Sequence, residues 1–159
     1  SMTYELITSW SEHDASVKKV LALASSSLCI FDGDLSKLKL GRSDTIELLR
    51  LFLGNGRENA LRIVLQTTDT LRQDNPRLMQ LLADRPQAMS ILQCPPPLAE
   101  LTDSMLIADG RHALIRIHKD HARSRVIFDS ADDCAPYIKR FEEILIEGGE
   151  PIGTTTLGL

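Results

Sequence analysis

The stretch DSMLIADGRHALIRIHKDHARSRVIFD, residues 103–129, decides the fold of this chain. It is the most strand-rich part of the sequence and predicts strands over Ser104–Ala108, His112–His118 and Arg125–Phe128. The dipeptide Asp109-Gly110 between the first two strands favours a tight hairpin turn. Because a tight hairpin joins antiparallel neighbours, part of the sheet must be antiparallel.

Upstream and downstream of this stretch, helical patterns alternate with short apolar runs. Ser11 with Asp14, and Asp44 with Glu47, have the spacing of a capping box, and Asp132 or Asp133 is predicted to cap the last helix. Pro95-Pro96-Pro97 predicts extended polyproline geometry. The predicted helices are Glu12–Ala24, Thr45–Leu53, Pro76–Ala83 and one that ends near Leu145, and the remaining predicted strands are Leu28–Phe31, Leu61–Leu65 and Met89–Leu92. This order predicts a mixed α/β fold, with a parallel and antiparallel sheet flanked by helices.

Composition places the chain among ordinary globular proteins. Its 159 residues suit one domain, predicted over residues 3–149, with a tail over 150–159. A net charge of -4 gives no support to nucleic acid as a partner, and no apolar run has the length of a membrane span. The N-terminus lacks a secretion signal and the three cysteines are widely spaced, so we expect a cytoplasmic location.

From about Leu28 to Leu145 the succession of elements resembles one half of the phospholipase D superfamily. The shared features are a strand that ends near Asp32, a strand-turn-strand unit and a closing helix with Phe141-Glu142-Glu143. In that family the strand before the hairpin carries H-x-K-x4-D, and a G-S-x-N motif follows. Here the histidine position is Thr102 and the lysine position is Ser104, whereas Asp109 matches. The next strand has no G-S-x-N.

The resemblance implies a scaffold that has lost its reaction. The family forms a phospho-histidine intermediate, with the lysine stabilising phosphoryl oxygens, and hydroxyl side chains supply neither function. We therefore expect a non-catalytic bacterial domain with a binding, regulatory or scaffolding role. Family members with one motif copy pair two halves, so the resemblance also implies a homodimer. Asp109 itself is expected to be a turn residue.

The letters His118-Lys119-Asp120 do not restore the motif. H-x-K places both side chains on one face of a strand, whereas adjacent residues point to opposite faces. We interpret this tripeptide as a coincidence.

A second resemblance is to haloacid dehalogenase-type phosphatases. Their first motif is an apolar strand followed by D-x-D, which Asp32-Gly33-Asp34 matches. In such enzymes the first aspartate attacks phosphorus, the second is the acid/base and Mg²⁺ bridges to phosphate. Asp132-Asp133 would serve as the later acidic pair, but no lysine precedes it suitably, and a strand-to-loop turn explains Asp32 and Asp34 as well.

Positive charge concentrates between residues 111 and 125. Alternation places Arg116 and His118 on one face of the strand, and Arg125 on the next strand is expected to lie beside them. These three residues are the candidates for an anion-binding group that takes a phosphate-containing or acidic ligand. A solvated face with cross-strand pairs to Asp103 or Asp129 is the competing interpretation. A phosphodiesterase or nuclease that uses such a basic site is a further alternative. The histidines and cysteines lack ligand spacing, so the sequence predicts no metal, cofactor or catalytic thiol.

Overall fold

One eight-stranded sheet organises the molecule in the computed structural model, which describes residues 4–54 and 56–154. The strands are β1 (Tyr4–Ile7), β2 (Leu28–Asp32), β3 (Leu61–Leu65), β4 (Met89–Gln93), β5 (Ser104–Ala108), β6 (His112–Arg116), β7 (Ser124–Ile127) and β8 (Glu150–Pro151). The helices are α1 (Trp10–Leu23), α2 (Ser43–Leu53), α3 (Leu71–Asp74), α4 (Pro76–Asp84) and α5 (Ala131–Ile146), with a 3₁₀ helix over Pro96–Glu100.

The sheet is mixed, as the sequence predicted. Its order is β1-β7-β6-β5-β2-β3-β4-β8, in which β2, β3 and β4 run parallel. The predicted hairpin joins β5 and β6 in antiparallel register, and β5 also lies antiparallel to β2. The strand β2 is therefore the boundary between the parallel and antiparallel parts.

Helices cover both faces of the sheet. One apolar core lies between the sheet and α1, α2 and α4, and a second lies between the sheet and α5. The prediction of a solvated face on β6 is wrong, because all five residues of that strand are buried. Alternate residues of β6 enter different cores, Leu114 the first and Ala113 and Ile115 the second. A strand buried on both faces usually reads as a continuous apolar run, but His112 and Arg116 give β6 the alternating pattern of a strand with one solvated face.

Three helix starts differ from the predicted ones. In α2 the N-cap is Arg42, without a side-chain cap hydrogen bond, rather than Asp44, so the helix begins at Ser43. The capping box of α1 is Ser9 with Glu12, not Ser11 with Asp14, so the helix begins at Trp10. Both pairs have the same spacing, and only the extended backbone of Ser9 makes it the cap. The last helix is capped by Ser130, which accepts from the backbone N–H of Asp133, so the aspartates occupy its first turn.

Three further segments differ from expectation. The edge strand β1 was not predicted, since only one of its four residues is buried. Pro95 is extended, but the chain then turns into the 3₁₀ helix, where prolines at the first two positions lose no donor. Glu150–Pro151, assigned to the tail, pair with β4 as β8, and residues 155–159 of that tail lie outside the described residues.

Candidate functional site

Three polar side chains form a row across adjacent strands at one end of the sheet. Asp32 ends β2, Ser104 begins β5 and Arg116 ends β6. Ser104 pairs directly with Arg116, and the pairing of Phe31 with Met105 continues to Asp32 and Ser104. Antiparallel pairing therefore brings the three residues together although they are distant in sequence.

The row is a closed, buried ion-pair centre. Arg116 Nη2 lies 2.5 Å from Asp32 Oδ1, and the side chains are 1% and 2% exposed. The Ser104 hydroxyl donates to the same carboxylate oxygen at 2.5 Å and accepts from Arg116 Nη2 at 3.0 Å. The backbone N–H of Leu35 donates to Asp32 Oδ2 at 2.7 Å. Both oxygens of the carboxylate are thus satisfied, as a buried charge requires.

Burial and neighbouring charges act against each other on the Arg116 guanidinium. Burial lowers its pKa, and the Asp32 carboxylate opposes that effect. Because arginine stays protonated in proteins, Arg116 keeps its positive charge at neutral pH. Arg116 Nη1 donates to the Lys119 carbonyl, while Nε has no hydrogen-bond partner among the described residues.

The start of α1 covers this centre from one side. The Trp10 ring centroid lies 5.8 Å from the Arg116 guanidinium and 5.2 Å from the His13 ring. His13 is fully buried, and neither ring nitrogen has a hydrogen-bond partner. Burial, together with the positive charge of Arg116, lowers the pKa of His13 to about 4. His13 is therefore neutral near pH 7.

A small cleft of about 120 Å³ opens beside the ion pair. It lies where β2, β3 and β6 end, and its walls carry side chains of both charges. Its lining residues are Asp32, Gly33, Asp34, Ser36, Lys37, Gln66, Thr67, Arg116, Lys119 and Asp120.

Lys119 is fixed in this cleft by a short chain of contacts. The Gln66 amide nitrogen donates to the carbonyls of Leu98 and Leu101 at 2.9 and 2.6 Å. That orientation leaves its Oε1 to accept from Lys119 Nζ at 2.7 Å. The lysine stem crosses Gly33, where an added Cβ would lie 3.2 Å from Lys119 Cδ. A glycine at this position therefore leaves room for the lysine.

The residues at the positions of the expected catalytic motif make structural contacts instead. Thr102 is exposed, and its carbonyl accepts from the Lys119 N–H at 2.6 Å. Ser104 belongs to the ion-pair centre. Asp109 lies at the hairpin turn, as predicted, with a positive φ of 58°.

The Asp109 carboxylate does more than a turn requires. It accepts from the backbone N–H groups of Ser25, Ser26 and Ser27 at 3.1, 2.7 and 3.1 Å. Burial raises its pKa, but these hydrogen bonds outweigh burial and the net shift is downward. Asp109 therefore ties the loop after α1 to the hairpin, at the end of β5 opposite the cleft.

The predicted anion-binding group does not assemble. Arg125 pairs with Ile115, not with Arg116, so it lies on the opposite face of the sheet. There it donates to the Tyr137 hydroxyl at 2.5 Å and lies 4.5 Å from the centroid of the Tyr4 ring. His118 lies beyond the end of β6, stacked on His121 at 4.7 Å. Of the three candidates, only Arg116 lines the cleft.

The structure also separates the residues of the phosphatase hypothesis. Asp32 and Asp34 both line the cleft, but Asp32 is only 2% exposed and is neutralised by Arg116. Asp132 and Asp133 lie at the start of α5, next to Ser130, whose N–H donates to the Arg111 carbonyl at the far end of β6. An acidic pair at that end cannot join Asp32. Within the described ranges, no group of three or more histidine, cysteine or acidic residues is arranged to hold a metal ion.

The sequence analysis did not bring Lys37, Gln66, Thr67 and Lys119 together in one site. Each follows a strand that ends at the edge where Asp32 lies, and the carboxyl ends of parallel strands meet at one edge. That rule would have found Gln66 and Thr67. The predicted strand runs to His118 but β6 ends at Arg116, so the β6–β7 loop begins two residues earlier than predicted, and Lys119 lines the cleft from that loop.

Comparison with solved structures places this fold among phospholipase D-like proteins. Nuc of Salmonella typhimurium, a phospholipase D family member, matches at a TM-score of 0.62 and 12% identity, over 94% of this chain and 99% of the other. NucT from Helicobacter pylori matches at a TM-score of 0.64 and 10% identity, over 94% and 98%. TrmBL2, an archaeal chromatin protein whose structure is described as a novel mode of DNA binding, matches at 0.67 and 16% identity. That match covers 95% of this chain, which spans 54% of the TrmBL2 chain.

The mixed sheet and the likeness to Nuc and NucT confirm a phospholipase D-like half. The chain belongs to the family described as Domain of unknown function (DUF7931), whose model matches residues 9–146. No curated protein matches it. None of the helices in the described part of the chain has the length and apolar character needed to cross a membrane.

Proposed function

We propose that this protein is a non-catalytic phospholipase D-like domain that binds a small ligand through an anionic group in the cleft. The observation that carries the proposal is the hydrogen bonding of Ser104. At the position of the family's lysine, its hydroxyl is bound to the buried Asp32–Arg116 pair. The side chain therefore contributes to a structural centre and has no charge to offer a phosphoryl group.

The absence of an accessible imidazole supports the same proposal. A nucleophile must reach its substrate. Thr102 occupies the histidine position, and no histidine lines the cleft formed by the described residues. His13 is the histidine beside Arg116, but it is fully buried behind Trp10.

Lys119 and Lys37 are the cations through which an anion would bind. Gln66 holds the Lys119 ammonium at 2.7 Å, and Lys37 lies 5.3 Å from the centroid of the Trp10 ring. Each has remaining N–H donors for a phosphate or carboxylate oxygen. Arg116 is already paired with Asp32, so it attracts the anion through its electrostatic potential more than through a direct contact.

The wider role follows the sequence expectation. We assign the domain to the cytoplasm of a bacterium, as a homodimer that regulates or scaffolds other components. The net charge of -4 argues against nucleic acid as the partner. DNA binding is a property described for TrmBL2, and half of that chain lies outside the match.

Ligand-dependent stabilisation tests the proposal. Inorganic phosphate and acetate are titrated into wild type, Lys119→Ala and Lys139→Ala, and the melting temperature is followed. An anion that binds the folded state raises the melting temperature with concentration. We expect the rise in wild type and in Lys139→Ala, an exposed lysine of α5, and its loss in Lys119→Ala. A wild type that no anion stabilises, or an equal rise in Lys119→Ala, contradicts binding at this cleft.

A further inference from the structure

The cleft carries unpaired charges of both signs. Lys37 and Lys119 line it together with Asp34 and Asp120. Among the described residues, none of these four side chains lies within ion-pair distance of an opposite charge. By contrast, Asp32 and Arg116 at its inner wall neutralise each other.

The two acids belong to the same electrostatic environment as the ion pair. Both Asp34 and Asp120 act on the pKa of Arg116, which they raise against the effect of burial. Asp34 Oδ1 accepts from the Ser36 N–H at 2.9 Å, which fixes the carboxylate in the loop after β2. Lys119 is fixed by its hydrogen bond to Gln66 and by the contact of its stem with Gly33. Cation and carboxylate are therefore held apart by contacts of their own.

A charge balance of this kind disfavours a simple dianion. Three cations and three carboxylates line the cleft, so a bound phosphate would meet as many negative as positive side chains. A ligand with both a cationic and an anionic group would instead place each opposite its complement. Arg116, whose side chain is only 1% exposed and paired with Asp32, leaves the two lysines as the accessible cations.

We infer that the cleft selects a small zwitterion of the amino-acid type, whose carboxylate binds Lys119 and Lys37 and whose ammonium group binds Asp34 and Asp120. This rests on the proposed function and names its ligand class. The cleft of about 120 Å³ accommodates a short chain rather than a polymer. Ser36 and Thr67 offer hydroxyl groups for further hydrogen bonds.

A spacer series tests this inference. Glycine, β-alanine and 4-aminobutanoate are compared by calorimetric titration with three ligands that carry one kind of charge: acetate, ammonium and inorganic phosphate. We expect one zwitterion to bind about tenfold or more tightly than any of these three, because each charged hydrogen bond in the cleft contributes to the total. Its spacer length then reports the distance between the cationic and acidic side chains that bind it.

Two charge-removing variants, with matched controls, identify the site. Lys119→Ala and Asp34→Asn should each weaken the zwitterion about tenfold or more, whereas Lys139→Ala and Asp84→Asn should not. The Asp34→Asn variant should bind acetate as tightly as wild type or more tightly, because a negative charge is removed from the cleft. If Asp34 had only a structural role, Asp34→Asn would lower the affinity for the zwitterion and for acetate alike. A circular dichroism spectrum and a melting curve identify a variant that fails to fold.

The outcomes separate the two claims. If anions bind at Lys119 but no zwitterion binds better, the inference is wrong and the proposed function stands. If none of the six ligands binds, both are wrong. A zwitterion whose affinity is insensitive to Asp34→Asn also overturns the inference.

Discussion

Removing the charge of Asp32 should destabilise the protein strongly. Asp32→Asn keeps the size of the side chain, but its single amide oxygen accepts either from the Leu35 N–H or from Ser104 and Arg116, and its NH2 group then faces the other donors. It leaves the guanidinium of Arg116, 1% exposed, without a counter-ion. Breaking a buried pair by removing one partner costs about 3–5 kcal/mol. Since the amide loses hydrogen bonds on one side as well as the charge, we expect a loss of at least about 3 kcal/mol.

Trp10 gives the assay its signal. It is the only tryptophan in the sequence, and its ring lies 5.8 Å from the Arg116 guanidinium. Urea unfolding followed by its fluorescence gives the free energy of unfolding, and a loss of about 3 kcal/mol corresponds to a melting temperature lower by roughly 6–12 °C in a domain of this size. The exposed substitution Asp84→Asn is the control, with an expected change within about 0.5 kcal/mol.

The double variant completes this test. Asp32→Asn with Arg116→Met removes both charges, so the second substitution should cost less in the Asp32→Asn background than alone. We expect a coupling free energy of about 1–3 kcal/mol between the two sites. A loss below about 1 kcal/mol for Asp32→Asn, or additive effects in the double variant, refutes the view that the pair is a structural centre.

Three further predictions concern groups outside the ion pair. Since the pKa of His13 is lowered to about 4 in the folded state, the unfolded chain takes up the proton first as the pH falls, and stability should drop by about 2 kcal/mol between about pH 7 and about pH 5. Urea unfolding of His13→Leu should lack that drop, and an identical pH dependence would show that another group is responsible. Burial raises the pKa of the Cys134 thiol to about 11, so a thiol reagent should label it only in urea; rapid labelling of the native protein contradicts its burial. Asp109→Ala removes the acceptor of three backbone N–H groups and should cost about 2 kcal/mol of unfolding free energy, with Asp129→Ala as the exposed control; equal melting temperatures would contradict its role as a tie.

The fold could be predicted further than the site. The hairpin at Asp109-Gly110 and the apolar runs of β2, β3 and β4 appear in the sequence because turn chemistry and burial act locally. The pairing of β2 with β5 is not local, and it alone brings Asp32 to Ser104. Arg116 shows the consequence: alternation assigned it to the correct side of its strand, but nothing local indicated that the side was buried and already paired.

Register errors account for what was wrong at the site. Arg125 was placed beside Arg116, but the register of β7 puts Ser124 there, and a shift of one residue reverses the face of every side chain. The strand pattern did not place Lys119 in the cleft, because β6 ends at Arg116 and the loop that follows brings the lysine stem to Gly33. Such loop contacts depend on tertiary packing, which a strand pattern does not record.

The most direct measurement is phosphodiester turnover by the purified protein. Bis(p-nitrophenyl) phosphate and end-labelled DNA and RNA are incubated with wild type, Lys119→Ala and Asp32→Asn. With Thr102 and Ser104 in place of histidine and lysine, we predict no release of p-nitrophenol or shorter fragments above the buffer rate. The claim that the domain is not catalytic is contradicted if turnover co-purifies with the protein and falls in either variant while that variant remains folded.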